Sequence, residues 1–130
     1  MKFSTTTRYG LRAIVYLAHQ GGICSAREIS EAEEIPFTYL EKIILKLAKA
    51  ELIGVKRGAS GGYFLKKPAG EISVDDVVQV LEKTTSPAPC VDKDFRCPRH
   101  QNCPTRHIWE KIDASIHSTL RTITLQDLIK

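Results

Sequence analysis

Three cysteines and two histidines crowd one polar stretch, CVDKDFRCPRHQNCPTRH, which runs from Cys90 to His107. Cys90, Cys97 and Cys103 follow the spacing C-x6-C-x5-C, while the remaining cysteine, Cys24, lies far upstream. Thiolates are soft ligands suited to zinc, copper(I) and iron–sulfur clusters. A short polar loop lets several of them converge on one centre. Arg96, Arg99 and Arg106 stand beside them, and positive neighbours favour the thiolate form. His107 adds C-x3-H to the series, and His100 is a second candidate for the fourth ligand. By spacing alone, Cys90, Cys97, Cys103 and His107 also make a plausible Cys3His zinc site. The enzymatic alternative is a Cys–His nucleophile. Three thiols in one loop look like ligands rather than one activated thiol, and no oxyanion-hole or substrate-pocket motif accompanies them.

Redox environment decides between ligands and disulfides. No apolar run approaches the roughly 18 residues needed to cross a bilayer. The opening segment MKFSTTTRYGLRAIVYLA is interrupted by Arg8, Tyr9 and Arg12 and lacks a small-residue cleavage site. The expectation is a cytoplasmic protein with no membrane partner, whose reduced, clustered cysteines bind metal. Its 130 residues suit one compact domain, or a small domain with an appendage, and a formal charge of +4 is compatible with a polyanionic partner.

The elements that position the loop are mostly helices. Residues 4–20 carry an apolar face of Tyr9, Ala13, Tyr16 and Leu17, widened by Leu11, Ile14 and Ala18, and Gly21-Gly22 ends them. Ser25-Ala-Arg-Glu28 reads as a capping box for a short helix over 26–33. Ile35-Pro36 breaks it. In 37–50, Leu40, Ile43, Ile44, Leu47 and Ala48 recur at helical spacing, and the other face carries Thr38, Tyr39, Glu41, Lys42, Lys46 and Lys49. Two short strands, Ile53–Lys56 and Tyr63–Leu65, flank a glycine-rich tip from Gly58 to Gly62. Helix, helix and basic hairpin together predict a winged helix-turn-helix.

Ser73-Val-Asp-Asp76 opens a helix over 74–83, and KTTSPAP forms a linker. Beyond the cysteine loop, Ile108, Ile112, Ile116, Leu120 and Ile123 stripe a long helix over 104–121, with Pro104 in its first turn and Trp109 as a packing anchor. Thr124-Leu-Gln-Asp127 caps a final turn. The fold class is mainly α with a small β-hairpin wing. The expected organisation is a DNA-binding domain over 1–83, a linker and cysteine loop over 84–103, and a dimerisation helix with its terminal turn over 104–130. The long stripe needs a partner, either its own domain or a second copy, and the expectation is a homodimer to which the first helix also contributes. Cys24 reads as a small apolar residue, and His19 and His117 as surface or helix-terminal groups.

Nearly the whole chain resembles the IscR/NsrR/CymR family of winged-helix transcription regulators, the Rrf-type family. The resemblance rests on MKFSTTTRYGLRAIVYLA, IPFTYLEKIILKLAKAELI, the wing VKRGASGGYFL, ISVDDVVQVLE and ITLQDLI. The cysteine loop places the chain with the iron–sulfur members. That resemblance implies a homodimer on partly palindromic, double-stranded operator DNA, with binding controlled by the cluster. It places base-reading positions on Thr38, Tyr39 and Glu41 and the wing arginine on Arg57. The residues themselves add Lys42, Lys46 and Lys56 as phosphate contacts, and let Glu41 accept from a cytosine amino group. Thr38 also begins a Thr-x-x-Glu41 capping pattern.

Three features depart from the family pattern, the first being a spacing between Cys90 and Cys97 that is one residue longer than usual. The histidine stands one residue later than in the family, so Arg106 occupies its usual place. Arg8 stands where some members supply an acidic ligand from the first helix. The fourth ligand, the nuclearity ([2Fe–2S] or [4Fe–4S]) and zinc as the alternative metal therefore stay open.

Overall fold

A computed structural model describes residues 2–92, 98–99 and 101–129. Cys97 and His100 lie outside the described residues.

Helix α1, Thr5–Gln20, starts at Ser4, whose side chain accepts from the Thr7 amide, and ends at Gly21 in the left-handed region (φ 71°). Its buried face (Ala13, Ile14, Leu17 and Ala18) meets α2 (Ala26–Glu33), α3 (Phe37–Lys49) and α4 (Val74–Leu81). Glu34 closes α2 with a left-handed backbone (φ 54°). Ile35, only 2% exposed, then plugs the core and Pro36 starts the next helix. This tight turn sets α3 across α2.

Strands β1 (Ile53–Lys56) and β2 (Gly62–Leu65) pair antiparallel, Ile53 opposite Leu65 and Lys56 opposite Gly62. The wing is tied to the helices by a further bridge. The Cys24 amide donates to the Tyr63 carbonyl at 2.9 Å, and the Tyr63 amide donates back at 2.8 Å. Gly62 permits that approach, because a Cβ there would lie 2.5 Å from the Cys24 carbonyl oxygen.

After α4 the chain passes through a 3-10 turn, Pro89–Val91, that packs on the long helix α5, Arg106–Arg121. The short α6, Leu125–Leu128, folds back onto the winged unit. Leu125 is fully buried in the shared core, its amide donates to Ile72, and the Val74 amide donates to Ile123. The terminal turn, grouped by sequence with the long helix, is thus packed into the winged unit. No described helix is long and apolar enough to cross a membrane.

Several local expectations need correction. The Ser25 half of the first capping box forms, but the Glu28 carboxylate accepts instead from the Tyr16 hydroxyl at 2.8 Å. The Thr38–Glu41 box is absent, because α3 begins at Phe37 and Thr38 is already inside the helix. The second strand begins one residue earlier than expected, at Gly62. Helix α4 stops at Leu81, since Glu82 is extended and its carboxylate accepts from Ser4 and Thr7 at the start of α1. Helix α5 starts at Arg106 and leaves Pro104 outside it. His117 is not a surface group. It is largely buried between α5 and α4.

Candidate nucleic-acid interface and metal loop

One face of α3 is buried through Leu40, Ile43, Ile44 and Leu47. The opposite face presents exposed Thr38, Glu41, Lys42, Lys46 and Lys49. Tyr39 sits at the margin, half-buried. Its hydroxyl shares a 2.7 Å hydrogen bond with the Thr6 hydroxyl, and its ring meets Tyr9 edge-on at 5.5 Å. These contacts lock the first turn of α3 to α1, so Tyr39 positions the helix as well as lining its edge. The Arg27 guanidinium lies over the Phe37 ring, 4.7 Å from its centroid, beside the same helix start. Lys56 and Arg57 are exposed at the end of β1 and the start of the wing tip. Together, α3 and the wing present a cationic surface with one acidic side chain, Glu41, on the helix. Such a surface can bind phosphates through its lysines and read base edges through short polar groups.

The metal loop is described at its two ends. Cys90, in the Pro89–Val91 turn, is half-buried against α5. Cys103 is half-buried just before α5 and lies 3.1 Å from the Thr105 hydroxyl. That hydrogen bond, backbone donors at Thr105 and Arg106, and the charge of Arg99 lower its thiol toward thiolate. A thiolate-leaning donor fits a soft metal centre. His107 lies in the first turn of α5, its side chain 81% exposed and its Nδ1 3.8 Å from Glu110. Among the described residues, no three His, Cys, Asp or Glu side chains are placed to hold a metal ion. Cys24 stands apart. It is 2% exposed in the core, and burial, with Glu28 adding, pushes its thiol up to about 11.

Sequence reasoning missed a polar junction between the loop and the winged unit. Asp75, 3% exposed on α4, accepts from His117 Nδ1 at 2.8 Å and from the Gln79 amide at 2.8 Å, with Arg121 3.7 Å away. On its other side the ring shares a 2.7 Å hydrogen bond between Nε2 and the Thr85 hydroxyl. Thr85 belongs to the linker that leads to Cys90. One imidazole therefore ties together α4, α5 and the linker. The available signal was the i,i+4 ladder Asp113–His117–Arg121 running beside the apolar stripe of α5.

That stripe is only partly covered within the described chain. No α5 residue is fully buried, and Ile108 is 51% exposed.

Residues 3–130 match the family model described as "Rrf2: Iron-dependent Transcriptional regulator". The chain is similar to the protein rrf2 of Nitratidesulfovibrio vulgaris, 39% identical over 132 residues, covering 100% of this chain and 88% of the relative. Among solved structures it is similar to CymR (YrzC), the global cysteine regulator of B. subtilis, with a TM-score of 0.81, 33% identity, and coverage of 99% and 96%. It is also similar to T. potens IscR, with a TM-score of 0.80, 32% identity, and coverage of 99% and 86%.

Proposed function

This chain belongs to the Rrf2 family of transcriptional regulators, and from that premise we propose a DNA-binding homodimer whose operator affinity is set by an iron–sulfur cluster on Cys90, Cys97 and Cys103. The observation that carries the proposal is the position of the cysteine loop. Its described ends, Cys90 and Cys103, flank a path between the winged unit and α5, and Cys103 leans toward thiolate. His107 is the proposed fourth ligand. A bound cluster would supply redox and ligand-exchange chemistry at that loop.

The chain's own residues do the rest. Thr38, Tyr39 and Glu41 face base edges, Lys42 and Lys56 hold phosphates, and Arg57 enters the minor groove from the wing. The half-exposed stripe of α5 pairs with that of a second copy. The two recognition helices must then span half-sites about 34–36 Å apart. An ordered loop holds Cys90 against α5 and Thr85 against His117. His117 holds Asp75 on α4, and α4 packs on α1 and α3. Loop order thus biases the angle between α5 and the reading helix, a population shift rather than a new contact.

The test is purification without oxygen, followed by a visible spectrum with iron, sulfide and zinc analysis, and then operator titration of loaded and stripped protein. Brown protein with matched iron and sulfide, and affinities that differ between the two forms, is the expected result. Colourless protein with one zinc per chain that accepts no cluster would replace the sensor with a structural staple. Equal affinities would remove the coupling.

A further inference from the structure

Leu45 is 60% exposed, the most exposed large apolar side chain among the described residues. An exposed leucine alone needs no explanation. Its position on α3 does. The helix buries Leu40, Ile43, Ile44 and Leu47 at 0–4% exposure. At 3.6 residues per turn, Leu45 lies on the opposite side, within about 20° of Thr38, two turns earlier. Glu41 and Lys42 flank that line, and Lys49 continues it one turn on.

Leu45 is therefore at the centre of the face that would enter DNA, not at its border with the core. The other exposed large apolar residues among those described, Phe3, Ile23, Val55, Ile108 and Leu128, lie off α3. On α3 itself, no second exposed large apolar side chain joins Leu45 to suit a protein partner. Its i−3 and i+4 neighbours on the helix are the exposed lysines Lys42 and Lys49, which complement a polyanion, with the acidic Glu41 at i−4.

We infer that Leu45 is a specificity-determining residue that packs on the C5-methyl of a thymine in the major groove, one step inward from the bases faced by Thr38 and Glu41. The inference rests on the DNA-reading role proposed above. The major groove carries one apolar feature, the thymine methyl, and apolar side chains are the groups that read it. An alternative polar base edge facing Leu45 would lose its water without gaining a partner. The leucine therefore selects for thymine and against cytosine at that position.

The test starts with selection of binding sites from a random duplex library by the full-length protein, loaded as purified. Each thymine of the enriched half-site is then replaced by deoxyuridine, which removes only the methyl. One position per half-site is expected to weaken wild-type binding about fourfold, the worth of one buried methyl group. Leu45→Ala should lose the distinction between thymine and deoxyuridine there while keeping it at any other sensitive position. The exposed site makes Leu45→Ala harmless to folding, and its thermal midpoint provides the check. A flat deoxyuridine scan overturns the inference, as does a Leu45→Ala variant that still senses the methyl. A library from which nothing is enriched overturns the DNA-reading premise as well, so the two failures are distinct.

Discussion

Replacing His117 with alanine removes one hydrogen bond from a carboxylate that is 4% exposed. Losing the sole partner of a buried charge costs about 3–5 kcal/mol. Here Asp75 keeps the Gln79 amide at 2.8 Å and Arg121 at 3.7 Å, and the imidazole it loses is itself 19% exposed, so water can enter its place. The loss should therefore approach that of one charge-assisted hydrogen bond, about 2 kcal/mol. A chain of this length has an unfolding entropy of roughly 0.27 kcal/mol/K, which converts that loss into a fall in Tm of about 7 °C. The assay is thermal and urea denaturation of reduced, metal-free protein at fixed concentration, so that neither ligand nor dimer linkage shifts between variants. Asp75→Ala and the double variant complete a thermodynamic cycle. The expected coupling is at least about 1 kcal/mol. A single-variant loss below about 0.5 kcal/mol, or additive losses in the cycle, would refute the claim that this pair joins α5 to the winged unit.

Four further outcomes are expected. Arg57→Ala should weaken operator binding and lower the salt slope by about 0.9, the share of one neutralised phosphate, while Glu41→Ala should relax sequence preference more than affinity; titrations at several salt concentrations on matched and mismatched sites separate the two. Gly62→Ala would place a Cβ 2.5 Å from the Cys24 carbonyl oxygen, so the wing should detach and DNA binding should fall while the helical circular dichroism signal is kept; retained binding would mean that the backbone shifts to accommodate it. In metal-free protein at pH 7.5, iodoacetamide should label Cys103 well before Cys24, because one thiol is lowered by its hydrogen bonds and the other is raised by burial to about 11. The same shift has a stability consequence. An unfolded Cys24 ionises near the ordinary value of 9.0 while the folded thiol keeps its proton to about 11, so stability is unaffected below pH 9 and falls as pH rises from 9 to 11. Cys24→Ala should flatten that segment of the pH–stability curve.

Periodicity and turn chemistry alone determined much of this protein. The apolar spacing of residues 37–50 specified both the helix and its buried side, because a 3.6-residue repeat leaves only one face to bury. The glycines between Lys56 and Tyr63 marked the hairpin, and the clustered cysteines marked the candidate metal loop before any fold was known. Local capping was legible where both halves of the box close within one turn. Ser73–Asp76 and Thr124–Asp127 both form complete boxes. It failed where a distant group made a better offer, as when Tyr16 took the Glu28 carboxylate.

Tertiary structure decided the rest, since those contacts join residues far apart in sequence. Glu82 leaves α4 to accept from Ser4 and Thr7, 78 and 75 positions away. Leu125 is drawn into the winged core because Ile72 offers its carbonyl and α1 its apolar face. His117 looks like a surface group in a one-dimensional reading, and becomes a junction when Asp75, 42 positions earlier, is folded against it. Leu45 presents the converse case. Its exposure follows from helical geometry, but the face it occupies matters only once the wing and α1 have oriented α3 outward. A local signal reports what a segment can form, and long-range packing decides which of its groups are satisfied inside and which remain to meet a partner.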